Sequence, residues 1–138
     1  MRSIPQSYIE YSKYRFEKAC DSIKSAEVLL HNGDFVGANN RAYYGIFHSL
    51  RAVLALDGFD SKKHSGIISK FNLNYVKTDI FDKKMSKIIS KAFEIRNDSD
   101  YEDFYVASKT DCEQLVLSAH YVLDEVRKYL INEGALDE

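Results

Sequence analysis

Three short stretches of this 138-residue chain hold side chains able to do chemistry. In Asn39-Asn40-Arg41-Ala42-Tyr43-Tyr44-Gly45-Ile46-Phe47-His48, the residues Arg41, Tyr44, His48 and Arg51 fall at i, i+3, i+7 and i+10. On a helix that spacing makes one face. A row of guanidinium, phenol, imidazole and guanidinium can bind phosphate and stack on a base. The plainer alternative puts Tyr44 and Phe47 in a core and has His48 donate a hydrogen bond inside a bundle, since buried polar groups need partners. The second stretch is Lys62-Lys63-His64-Ser65-Gly66, where a helix start could offer backbone N–H groups to an anion. A solvated turn explains it equally well. The third is Arg96-Asn97-Asp98-Ser99-Asp100-Tyr101, in which Arg96 and Asp100 at i, i+4 also suit an ordinary surface ion pair.

Other chemistries find no anchor. His31, His48, His64 and His120 never approach the spacing of a zinc site, and neither Cys20 nor Cys112 lies beside one of them. No glycine-rich phosphate loop or nucleophile elbow occurs, so neither a metal nor a cofactor is expected. The formal charge of −2 and pI near 6.1 exclude binding to nucleic acid by bulk charge and leave only a local basic patch. Two distant cysteines point to free thiols in a reducing compartment. With no apolar leader and no stretch long enough to span a bilayer, the expectation is a cytoplasmic protein without membrane contact.

The elements that must carry these residues are helical. Hydrophobic residues are 45% and charged residues 29%, with one proline and six glycines, a composition unsuited to a turn-rich β-sandwich. Apolar positions from Tyr8 to Leu30 recur at three and four residues, after Pro5 in a first turn and Ser3 as a candidate cap. Gly33 ends that helix and Asp34 is placed to cap the next, which runs from Phe35 to Leu56. There Ala38, Ala42, Gly45 and Ala52 would let a neighbour approach closely. A shorter helix is expected over Lys62 to Val76 and a fourth from about Asp82. Asn97-Asp98-Ser99-Asp100 should weaken or end the fourth, and Ser108 or Thr110 should cap a last one running to about Leu130. The expected fold class is all-α: one domain over 1–138, an antiparallel four-helix bundle with an additional short helix.

The three stretches, in this order and spacing, resemble the HEPN family of helical domains. The matching segments are Asn40 to His48, His64 to Phe71, and Ala92 to Arg96 running on to Tyr101, and the resemblance built on them extends over nearly the whole chain. The resemblance implies a bundle that dimerises, metal-independent RNA cleavage in many members, and a minimal nucleotidyltransferase as a frequent partner. It also implies a signature of an arginine, commonly followed directly by a polar residue, with a histidine four to six residues on. Arg96 and Asn97 match the first half. The second half departs, because Asp100 and Tyr101 stand where the histidine belongs and none follows before His120.

That departure bears directly on mechanism. Imidazole titrates near pH 6.5 and can exchange the proton of a ribose 2′-hydroxyl at neutral pH. A phenol near 10 and a carboxylate near 3.9 are poor bases there. The reading is therefore a toxin-like module that binds nucleotide or RNA, or a nucleotidyltransferase, with absent or weak catalysis. Arg41, Tyr44, His48, His64 and Asn97 are its binding candidates. One alternative is a working endoribonuclease with Arg96 as its charge stabiliser and Asp100, Tyr101 or His64 as acid or base. The other is a structural dimer.

Overall fold

The computed structural model describes residues 2–101 and 105–138, without the side chains of Asp100 and Tyr101. Among them run five α-helices and no strand: α1 (Gln6–His31), α2 (Phe35–Ala55), α3 (His64–Phe71), α4 (Lys84–Tyr101) and α5 (Lys109–Asn132). A short π-helical segment, Asn72–Val76, continues α3 and covers most of the rest of the expected third helix.

Three residues join α1 to α2, so the two must fold back on one another. Gly33 takes the left-handed conformation, φ 80°, that ends a helix without a Cβ penalty. Asp34 then caps α2, its carboxylate accepting from the Gly37 N–H at 2.9 Å. At the α1–α2 crossing a Cβ on Gly45 would collide with the Ile23 side chain, so glycine there sets how near the helices lie. Ser12 Oγ, fully buried, donates to the Ala52 carbonyl across the same crossing at 2.6 Å.

Named contacts give the helix directions. Glu27 pairs with His120 while Arg127 lies over Phe16, so α1 and α5 are antiparallel. Lys84 lies over Tyr121, while the later residues Lys87 to Ile95 line a groove with the earlier Asp111 to Ser118, so α4 and α5 are antiparallel too. Cys112 at the start of α5 bonds the carbonyl of Phe35 at the start of α2, so α5 and α2 run the same way. The long helices thus form an antiparallel bundle in which α2 packs against all four others. Thirteen of its residues are buried, and burial of Leu50, Val53 and Leu54 with Val122, Val126 and Leu130 anchors the core.

Two expectations are corrected. Ser3 does not cap α1, which starts from Pro5 with no side-chain cap. And α4 is not ended by Asn97-Asp98-Ser99-Asp100 but continues through Tyr101. These residue types cost a growing helix at most about 0.7 kcal/mol each. The turns before them are already nucleated and docked through buried Ile89, Ala92 and Ile95. Ser108 caps α5, as its position suggested, by accepting from the Asp111 N–H at 3.2 Å.

Candidate functional site

Tyr43 and Tyr44, adjacent on α2, are the hinge of the site. Tyr43 is 2% exposed and inward-facing; Tyr44, about 100° round the helix, is half-buried. From α3, the His64 ring stacks on Phe47 with centroids 4.1 Å apart and lies edge-on to Tyr44 at 5.8 Å. From α4, the Arg96 guanidinium lies over both tyrosines, 5.3 Å from the Tyr43 centroid and 5.8 Å from that of Tyr44. Arg41 lies over Tyr44 at 5.2 Å. Residues from three helices therefore meet round one pair of rings.

His64 is closely constrained. Its Nδ1 is 2.7 Å from the Tyr43 hydroxyl and 3.3 Å from Arg96 Nη1. A guanidinium only donates, so Nδ1 is the acceptor, the Tyr43 O–H donates to it, and the ring proton sits on Nε2. Burial, and next the charges of Arg96 and Arg51, push the His64 pKa below its ordinary value, so the ring is neutral at pH 7. Burial likewise raises Tyr43 to about 12, against the pull of Arg96, which keeps the hydroxyl protonated and able to donate.

His48, one turn beyond Tyr44, faces the other way into α1. Arg15 Nη1 approaches its Nδ1 at 3.4 Å, so His48 accepts where the plainer sequence reading had it donate. The reason is its neighbourhood. Burial, then Arg15, Arg51, Arg41 and Lys18, lower its pKa to about 4, and a neutral ring beside so many cations is a better acceptor than donor. Tyr11 organises this side: its hydroxyl takes hydrogen bonds from Arg15 Nε (2.9 Å) and Arg51 Nη2 (3.0 Å) and donates to Asp60 at 2.7 Å. Arg51 completes a two-point pair with Asp60 and is thereby neutralised.

Of the residues singled out in the sequence, Arg41, Tyr44, His48, His64 and Arg96 form one chain of contacts. Asn97 is half-buried on α4, about 100° round the helix from Arg96. The side chains of Asp100 and Tyr101 lie outside the described residues, as do residues 102–104. His64 is not the solvated helix start its lysine neighbours suggested; Lys62 and Lys63 are exposed while the imidazole turns inward. Sequence reasoning missed Arg15, Lys18 and Tyr11 on α1, whose i, i+4, i+7 spacing was the available signal. It also missed buried Asn39, whose side-chain amide has no hydrogen-bond partner among the described residues. Among the described residues no group of three or more His, Cys, Asp or Glu is placed to hold a metal ion. No described helix is long and apolar enough to cross a membrane.

The helical bundle formed by the described residues is the fold that the sequence resemblance implied. The HEPN domain model matches residues 12–129, and the chain belongs to the HEPN family. Two relatives come from Methanocaldococcus jannaschii, each named "Putative toxin". One is 31% identical over 120 residues, covering 87% of this chain and 82% of that protein. The second is 31% identical over 114 residues, covering 83% and 84%. A UPF0332 protein from Thermotoga maritima is 30% identical over 125 residues, covering 91% and 92%.

Proposed function

We propose that this HEPN chain is a module of a toxin–antitoxin type system that binds RNA or nucleotide phosphate at Arg96 and His64, with absent or weak catalysis. The observation that carries this reading is the hydrogen bonding of His64. With Nδ1 taken up by Tyr43 and Arg96, the ring has no lone pair to spare for a 2′-hydroxyl proton. Its remaining ring donor is the Nε2–H, and the same ring meets the Arg96 guanidinium at Nδ1. Two donors, one of them charged, suit a phosphate oxygen and do not make an acid–base pair. Tyr44 and Arg41 adjoin them as a stacking surface and a second cation. The similarity to two proteins named as toxins supports the toxin side of the proposal. On the partner side we propose a second copy of the chain, and a minimal nucleotidyltransferase that engages the same face.

The alternative, a metal-independent endoribonuclease, draws on the same contact: His64 comes from a different helix, yet it stands beside Arg96. If Nδ1 were released from both Tyr43 and Arg96, it would be a base. One assay decides between them. Structured RNA is incubated with the protein in EDTA while binding is followed by anisotropy. The binding reading expects a complex with intact RNA, weakened about tenfold or more in Arg96→Ala, since hydrogen bonds to charged groups contribute about 1.5–3 kcal/mol. Cleavage that persists in EDTA and disappears in both Arg96→Ala and His64→Ala would replace it with the enzyme.

A further inference from the structure

A separate cavity of about 380 Å³ opens between α1 and α2, away from His64, lined by Arg15, Lys18, Asp21, Ser22, Arg41 and His48, with Ser25 at its edge. Its charge is uncompensated. Three cations face a single carboxylate, Asp21, and among the described residues none of the three makes an ion pair, whereas Arg51 close by is paired with Asp60. The cations are held in place by neutral groups instead. Arg15 is fixed by Tyr11 through Nε and by His48 through Nη1, and Arg41 spends Nε and Nη2 on the Asn40 side-chain carbonyl. Lys18 lies over the Tyr14 ring at 5.4 Å. Arg15 Nη2, Arg41 Nη1, the Lys18 ammonium and the Ser22 and Ser25 hydroxyls are left as donors. Like charges gathered without a counterion raise the energy of the folded chain, and an anion at their centre would relieve it.

The cavity also adjoins the first site. Arg41 belongs to its lining and lies over Tyr44, whose ring is in turn covered by Arg96. Both donor clusters therefore touch the same aromatic ring, which suits two phosphates with a base between them along a single strand.

We infer that the α1–α2 cavity is a second phosphate seat, which takes a backbone phosphate of single-stranded RNA adjacent to the one held at Arg96. This rests on the reading of the Arg96 site as an RNA-binding site. The serines, Lys18 and the two arginines bind phosphate oxygens; Tyr44 stacks with the base between. No bond is made or broken.

The test measures the affinity of a labelled single-stranded oligoribonucleotide across a range of salt concentrations. Each phosphate contact on a single strand contributes about 0.7 to the slope of log K against log salt. Lys18→Gln and Arg15→Gln are each expected to lower the slope by about that amount. Lys128→Gln, an equal loss of charge on α5 beside a different groove, should leave it unchanged. Lys18 is exposed, so its variant reports even if Arg15→Gln fails to fold. In parallel, the His48 ring is titrated by NMR with and without the RNA. An anion in the cavity offsets Arg15, Lys18 and Arg41, so the His48 pKa should rise on binding. RNA that binds with unchanged slopes in both α1 variants and an unmoved His48 overturns the second seat and spares the Arg96 site. Absence of any RNA binding by the unaltered protein overturns both. A His48 shift produced by inorganic phosphate alone, with no RNA binding, makes the cavity a free-phosphate site and overturns the polynucleotide assignment.

Discussion

His48 and His64 both lie against the Tyr44 ring, and burial is the first cause that keeps each neutral at pH 7, but their further surroundings differ. Around His64, on the α2–α3–α4 side, packing dominates. The ring stacks on Phe47, takes a hydrogen bond from Tyr43 and has one cation, Arg96, within bonding reach. Around His48, on the α1–α2 side, charge adds to burial: Arg15, Arg51, Arg41 and Lys18 all disfavour its protonation. One imidazole is locked by its neighbours' shapes and the other is exposed to their field. A ring held by packing is a fixed donor, suited to orienting a ligand. A ring buried among several cations responds to whatever anion enters, and so reports on it.

The most disruptive way to separate the two regions is Phe47→Ala. Phe47 is 4% exposed and forms the floor under His64, so its loss should destabilise the fold by about 3–5 kcal/mol, read from denaturant unfolding. In the protein that remains folded, His64 should titrate closer to its ordinary range while His48 stays strongly depressed. Relaxation of both together would mean that the two sides are one electrostatic unit.

An acid titration tests the His48 side next. The folded-state pKa is about 4 against an ordinary 6.5, so the unfolded chain binds the proton first. The stability that accompanies a neutral His48 is complete above pH 6.5, declines as pH falls through that value, and is lost by about pH 4. His64, also lowered, contributes in the same direction. Tm should therefore drop between pH 7 and pH 5, and His48→Gln should flatten that drop. Raising salt should flatten it as well, by screening the cations. A Tm that is level over this range in the unaltered protein would remove the electrostatic account of His48.

Tyr43→Phe has the smallest expected effect and is the sharpest probe of the His64 side. It keeps the ring and deletes one donor, at a cost of about 1 kcal/mol. The lost hydrogen bond favoured the neutral imidazole, so the His64 pKa should rise, with His48 unmoved. A His64 titration identical to that of the unaltered protein would mean that the Tyr43 hydroxyl does not hold the Nδ1 lone pair.

Much of this molecule was legible in its residues. Gly33 and Asp34 mark the α1–α2 turn because each has one strong local preference, for a left-handed backbone and for an exposed N–H. Ser108 marks the start of α5 in the same way. The run from Asn97 to Asp100 misled, because weak local preferences yield to a helix already docked by its apolar side. In the site, Arg41, Tyr44 and His48 could be grouped by helical spacing alone, since they lie on one element. Nothing in that spacing told which way His64 would turn, and Arg15 drew no notice, because its partner in the site, His48 on α2, is 33 residues away.

The sequence by itself determined five helices, their approximate ends and the membership of the α2 row, because periodicity, caps and turn residues act over a few positions. The tertiary structure decided the rest. Docking α3 against α2 and α4 placed His64 beside Arg96, thirty-two residues away, which supplies an imidazole that the local order of Arg96 to Tyr101 lacks. Docking α1 against α2 gathered Arg15 and Lys18 opposite Arg41 and His48. Charge and hydrogen bonding act across a few ångströms of space, and only the closed bundle sets which distant residues share those ångströms.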